Sequence, residues 1–229
     1  MTKVKICGIS RVEHAIAAAD AGADFIGIIF AESKRQVTPE KAKELVGEVK
    51  LQRPSLGQKP RVVGVFVNTP SKEVNEIAEY CGLDWVQLHG DESLEECSAI
   101  DTPILKVIRI DAQKLAEELV PGLETQVGAI YRQGYVPMLD NVSTGRYYGG
   151  TGRPVDWNVA GRLAGEYQIM LSGGLKVDNV AQAIEQARPW GVDVSSGVET
   201  DGVKDPDKIR AFIGTVKEVD ARLESAVEG

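Results

Sequence analysis

The stretch that decides the fold is Gln168-Ile169-Met170-Leu171-Ser172-Gly173-Gly174-Leu175, followed by a helical pattern over Val177–Ala187 and then by Val192-Asp193-Val194-Ser195-Ser196-Gly197. A short apolar run ends in a glycine turn, a helix intervenes, and the same order begins again. Strand, helix, strand in one unit reads as two parallel strands joined by a crossover helix. The pattern extends upstream over the whole chain. Strand candidates lie at Val4–Cys7, Phe25–Phe30, Val62–Val67, Trp85–Leu88, Ile104–Ile108 and Tyr135–Leu139; with Gln168–Leu171 and Val192–Val194 they make eight. Amphipathic segments fall at Val12–Ala21, Pro39–Val49, Lys72–Tyr80, Leu94–Ile100, Ala112–Leu119, Trp157–Ala164, Val177–Ala187 and Pro206–Arg222. Thr38-Pro39 and Asp205-Pro206 each pair an N-cap with a proline at the first helical position. Gly22 and Gly82 stand where a C-terminal cap belongs. Pro121-Gly122 is expected to end the fifth helix early and leave it irregular.

Eight strand–helix repeats admit an open doubly wound sheet or a closed barrel. The count and the 229 residues favour a (β/α)8 TIM barrel of the α/β class. No GxGxxG fingerprint follows the first strand, which continues as Cys7-Gly8-Ile9-Ser10. No Pro/Gly/Ser-rich linker divides the chain, so one domain over residues 1–229 is expected. The net charge of −8 argues against general nucleic-acid binding and against an anionic membrane surface. It leaves room for a local basic pocket for a phosphorylated small molecule. No run of 18 apolar residues suits a membrane span, and Met1–Cys7 lacks the apolar stretch of a secretory signal. Cys7, Cys81 and Cys97 are odd in number and have no metal-ligand spacing; His14 and His89 sit in no cluster. Free thiols suit a reducing cytosol, so a cytoplasmic protein without a metal is the expectation.

In a barrel of this type the reactive groups stand at the C-terminal ends of the strands. Along the first strand, Val4 and Ile6 share one face while Lys5 and Cys7 share the other. The apolar pair suits the helix layer, so Lys5 and Cys7 point inward, about 6.6 Å apart along the strand. A cation at that range is expected to lower the cysteine pKa and favour thiolate. The plainer reading is an inert buried thiol. The sixth strand ends at Asp140, ahead of a long glycine-bearing loop, Val142–Pro154. Such a loop is a candidate lid, and an Asp capping a turn is the alternative. The combination matters: a thiol after strand one and a carboxyl after strand six can face each other across one barrel mouth. Gly173 and Gly174, and the segment Asp193–Gly197, follow strands seven and eight, where this architecture binds phosphate through backbone N–H groups. Arg35, after strand two, offers a planar fork for a carboxylate or is a solvated surface residue. His89, after strand four, touches substrate or caps the strand. Trp85 and Trp157 read as packing residues.

Several motifs then occur in one order. They are Lys5-Ile6-Cys7-Gly8-Ile9, Ala21-Gly22-Ala23-Asp24-Phe25-Ile26-Gly27, Gly64-Val65-Phe66-Val67-Asn68 and Val86-Gln87-Leu88-His89-Gly90-Asp91-Glu92. Tyr148-Gly149-Gly150-Thr151-Gly152, Leu171-Ser172-Gly173-Gly174-Leu175 and Gly191-Val192-Asp193-Val194-Ser195-Ser196-Gly197-Val198-Glu199 complete the set. In this order and spacing the chain resembles the phosphoribosylanthranilate isomerases of tryptophan biosynthesis, from Val4 to about Phe212. The resemblance implies the same barrel and a cofactor-free Amadori rearrangement. N-(5-phosphoribosyl)anthranilate would become 1-(2-carboxyphenylamino)-1-deoxyribulose 5-phosphate. It implies Cys7 as general base, Asp140 as general acid and Arg35 on the anthranilate carboxylate. Amides of the Gly173-Gly174 loop and of Asp193–Gly197, which includes Ser195 and Ser196, would hold the phosphate. The segment around Arg35 is one residue shorter than in many relatives, which makes Lys34 the alternative there. Tyr147 and Tyr148 receive no role. The related sugar isomerase of histidine biosynthesis is the nearest rival, but it carries an aspartate where Cys7 stands and two phosphate sites. A catalytically dead phosphometabolite sensor is the rival from another class, and intact Cys7 and Asp140 argue against it.

Overall fold

The computed structural model describes residues 1–52, 59–110, 116–141 and 156–228. Eight parallel strands close into a barrel in chain order: β1 (Lys3–Cys7), β2 (Phe25–Ile29), β3 (Arg61–Phe66), β4 (Trp85–Leu88), β5 (Ile104–Ile110), β6 (Val136–Asn141), β7 (Met170–Leu171) and β8 (Gly191–Val194). Closure comes from β1 against β8, with Lys5 opposite Asp193. Among the described residues the outer layer is α1 (Val12–Ala21), α2 (Pro39–Leu51), α3 (Ser71–Cys81), α4 (Leu94–Ser98), α5 (Ala116–Arg132), α6 (Trp157–Ala164), α7 (Val180–Ala187) and α8 (Pro206–Glu228). The closed α/β barrel expected from eight repeats is therefore what forms.

Period-two alternation sorts the side chains. Val4, Ile6, Leu139, Val192 and Val194 point outward into the core shared with the helices. Phe25, Val63, Leu105, Val107, Met138 and Met170 point inward and fill the barrel, with Trp85 and Trp190 packed against them. Trp85 meets the Phe25 ring edge-on at 5.8 Å, which is the packing role expected of it. Along the same inward parity, one step further towards the C-terminal ends, come Cys7, Gln87, Asp140 and Asp193. The apolar plug forms the floor, and the polar groups stand above it.

Helix ends follow the local chemistry. Thr38 Oγ1 accepts from Lys41 N ahead of Pro39. Gly22 (φ 94°) and Gly82 (φ 70°) close α1 and α3 in the left-handed region. The fifth helix differs from the expectation. It runs Ala116–Arg132 rather than 112–119, with Pro121 inside it; residues 111–115 lie outside the described set. Pro121 falls in the second turn and removes one intrahelical hydrogen bond, at a cost of about 3 kcal/mol. Val120, Leu123, Val127 and Ile130 form a stripe at helical spacing that is buried in the outer core. Each such burial contributes roughly 1.5–3 kcal/mol, so packing outweighs the local breaking signal. After β8, a short 3-10 turn (Ser196–Val198) leads into a two-stranded hairpin, β9 (Glu199–Thr200) and β10 (Val203–Lys204). The Val142–Pro154 loop, with Tyr147, Tyr148 and the Tyr148–Gly152 motif, lies outside the described residues.

Candidate active site

The strand ends open on a cavity of about 600 Å3. Cys7, Arg35, His89 and Asp140 line it, together with Gly173, Gly174, Asp193, Ser195 and Ser196. Lys34 also reaches this wall. Gly197 does not. A Cβ there would lie 2.0 Å from the Leu175 carbonyl oxygen, so this glycine lets the loop after β8 press against the loop after β7. The described residues thus give this glycine a packing role between the two loops.

At the end of β1, Lys5 is fully buried and its Nζ donates to Asp193 Oδ1 at 2.7 Å. Ser172 Oγ donates to the other carboxylate oxygen at 3.1 Å, so the Asp193 side chain is committed to the barrel interior. Burial alone would drive Lys5 towards the neutral amine, but Asp193 and the Cys7 sulfur hold its pKa above the ordinary lysine value. Burial pushes the Cys7 thiol up; Lys5 pulls it down, and Asp193 adds to the rise. The net shift is upward, which reverses the lowering expected from Lys5 alone, because burial of the sulfur outweighs the cation and Asp193 reinforces it. Gly27 makes the space: a Cβ there would come within 2.9 Å of Cys7 Sγ and 3.1 Å of Lys5 Nζ.

At the end of β6, Asp140 is buried. Its Oδ1 accepts from Asn141 N at 2.8 Å, and His89 Nε2 lies 3.2 Å from Oδ2. Behind His89, Gln87 Nε2 meets Nδ1 at 2.8 Å. On the other side of the ring, Nε2 comes close to the Asp140 carboxylate but makes no hydrogen bond with it. The turn after His89 is held by a buried ion pair. Glu92 Oε1 accepts from Asn68 N and Gly90 N, and Lys106 Nζ donates to Oε2 at 2.6 Å. His89 thus lines the cavity between Gln87 and Asp140, hydrogen-bonded to Gln87 and in close contact with the Asp140 carboxyl. Sequence reasoning gave Gln87 no role, although inward parity with His89 could have found it.

Arg35 is also not a solvated surface residue. Its Nε and Nη2 donate to the two carboxylate oxygens of Glu199 at 2.6 and 2.8 Å. Lys204 Nζ reaches Glu199 Oε1 at 2.6 Å and Ser195 O at 2.9 Å. The hydrogen bonds to Glu199 keep the Arg35 pKa raised. Burial would raise the Glu199 pKa, but the two cations outweigh it and hold the carboxylate below its ordinary range. Gly173 (φ 85°) and Gly174 (φ 68°) adopt a conformation that side chains disfavour. Their amides donate to no group among the described residues. The Ser195 carbonyl points at Lys204, so across the planar peptide the Ser196 N–H faces the opposite way.

Cavity, thiol, carboxyl, guanidinium and free amides thus converge at one end of the barrel. A family model described as N-(5'-phosphoribosyl)anthranilate isomerase matches residues 4–215. The N-(5'-phosphoribosyl)anthranilate isomerase of Dehalococcoides mccartyi is 43% identical over 220 residues, covering 96% of this chain and 98% of that one. The solved phosphoribosyl anthranilate isomerase of Thermotoga maritima aligns with a TM-score of 0.78 at 34% identity, over 95% of this chain and 100% of the other. A solved phosphoribosyl anthranilate isomerase in complex with reduced 1-(o-carboxyphenylamino)-1-deoxyribulose 5-phosphate aligns with a TM-score of 0.75 at 32% identity, with the same coverage of each chain.

Proposed function

The chain belongs to the N-(5'-phosphoribosyl)anthranilate isomerase family, and from that premise we propose how its residues divide the chemistry. The enzyme isomerises N-(5'-phosphoribosyl)anthranilate to the 1-deoxyribulose 5-phosphate ketose in tryptophan biosynthesis. Opening the furanose requires a proton on the ring oxygen as the C1–O bond breaks. Asp140 gives that proton as general acid. The anilino nitrogen lone pair moves into the new C1–N double bond, and the resulting cation acidifies the C2–H. Cys7 removes that proton as general base through the thiolate fraction that Lys5 favours against burial. The C–H electrons form the C1–C2 enolamine, which tautomerises to the ketose. In that last step C1 takes up a proton and the C2 hydroxyl gives one up to solvent, while the anthranilate nitrogen has served as the electron sink.

Arg35 binds the anthranilate carboxylate through its planar fork, and the amides of Gly173, Gly174 and Ser196 hold the phosphate at the other end. Two anchored ends fix the pentose between acid and base. One observation carries the reading: Cys7 at the end of β1 and Asp140 at the end of β6 line the cavity that also takes in Arg35 and both glycine loops. We also infer that the whole chain is one domain and that it works in the cytoplasm, as suits three free cysteines.

Turnover of the ribosyl-anthranilate substrate by Cys7→Ala and Asp140→Asn tests these roles. Each variant is expected to lose at least about 100-fold in kcat with KM little changed, because proton transfer rather than recognition is removed. A variant that only raises KM would remove its residue from the acid–base pair.

A further inference from the structure

Glu199 closes the last of the sequence motifs and has no part in the chemistry above, yet its nearly buried carboxylate (7% exposed) organises one wall of the cavity. It accepts Arg35 Nε at 2.6 Å and Nη2 at 2.8 Å, and Lys204 Nζ shares Oε1 at 2.6 Å. Lys204 continues to the Ser195 carbonyl. A guanidinium has two hydrogen-bonding edges suited to carboxylates. Glu199 occupies the side edge, Nε with one hydrogen of Nη2. The end fork, Nη1 with the second hydrogen of Nη2, has no partner among the described residues and presents the parallel N–H pair that a second carboxylate accepts. The stem of Arg35 is fixed as well. It crosses Gly8, where a Cβ would come within 2.6 Å of Cδ, and the residue lines the cavity. Position and plane of the guanidinium are therefore both set before any ligand arrives.

We propose that Glu199 is a positioning residue for substrate specificity. By gripping the side edge of Arg35 it aims the end fork at the ring carboxylate, and through Lys204 it ties that fork to the Ser195 turn at the phosphate end. The proposal rests on reading Arg35 as the carboxylate-binding residue. Without Glu199, two neighbouring cations repel each other and the long Arg35 side chain is free to turn towards water. What is lost is the discrimination between ligands with and without the carboxylate.

The test compares inhibition by reduced 1-(o-carboxyphenylamino)-1-deoxyribulose 5-phosphate with inhibition by the same compound lacking the ring carboxylate, on wild type, Glu199→Gln and Arg35→Ala. Glu199→Gln is expected to weaken the carboxylated compound about tenfold and its counterpart by no more than about twofold, as for loss of a charge-assisted bidentate contact. Arg35→Ala gives the same pattern with a larger loss. If Glu199→Gln weakens both compounds equally, Glu199 is structural and the proposal fails. If only Arg35→Ala discriminates, the proposal fails while the Arg35 reading stands. If Arg35→Ala does not discriminate, that reading falls and the proposal with it. Should Glu199→Gln not fold, Glu199→Asp serves as the same arm, because it keeps the charge but withdraws the carboxylate by one methylene, and the same selective loss is expected.

Discussion

At the end of β1, burial and charge oppose each other over one sulfur atom. Alternation along Val4–Cys7 made the inward pair Lys5 and Cys7 legible in the sequence. Asp193 lies 188 residues from Lys5, and no local pattern announces that it neutralises the cation. Burial of the sulfur is the larger cause and Asp193 adds to it, so the Cys7 pKa rises where the sequence alone suggested a fall. A raised thiol pKa leaves the neutral form dominant at low pH, and thiolate grows only above the ordinary thiol range. Carbamidomethylation of Cys7 by iodoacetamide in the ligand-free enzyme, followed by mass spectrometry of its peptide, should thus accelerate with an apparent midpoint above that range. Asp193→Asn should move the midpoint down, since the carboxylate is one cause of the rise. A midpoint at or below the ordinary value in wild type would show that Lys5 wins after all. Arg35 carries the same lesson: Glu199 stands 164 residues away, so a residue readable as surface-exposed turns out to be clamped.

Among the elements, helix starts marked by a cap and proline, at Pro39 and Pro206, fall where the sequence placed them. α1 and α6 begin and end where the sequence placed them, and the strands agree to within a residue or two. Two misses have different causes. Pro121 is a strong local breaker, but the buried stripe from Val120 to Ile130 overrides it, and tertiary packing of that kind is invisible in a short window. The β9–β10 hairpin did announce itself: Asp201-Gly202 is a two-residue turn with both residues at positive φ (52° and 78°), the geometry an Asp-Gly pair favours. The loops after β7 and β8 meet at Gly197, where a Cβ would strike backbone rather than a yielding side chain. Gly197→Ala is expected to cost about 1–3 kcal/mol in chemical denaturation and to raise KM by shifting both loops. Gly214→Ala in α8, with nothing within 4 Å of the new Cβ, should instead stabilise by about 0.5–1 kcal/mol. Equal effects of the two changes would contradict the packing role of Gly197.

For the whole molecule, closure is what brings distant residues to one place. Strand β8 returns to β1, so groups at the ends of β1, β6, β7 and β8 face a common mouth above an apolar floor. Eight strand–helix repeats in a chain of 229 residues were enough to favour the barrel over an open sheet. The pairing of sulfur and carboxyl follows from that closure and from nothing local. A crystal structure of the enzyme with reduced 1-(o-carboxyphenylamino)-1-deoxyribulose 5-phosphate tests it most directly. The expected result has Cys7 Sγ within about 3.5 Å of the sugar C2 and an Asp140 oxygen equally close to the hydroxyl left by the opened ring, with the phosphate on the Gly173-Gly174 and Ser196 amides. A ligand that leaves both groups out of reach, or that turns its phosphate towards Arg35, would contradict the account.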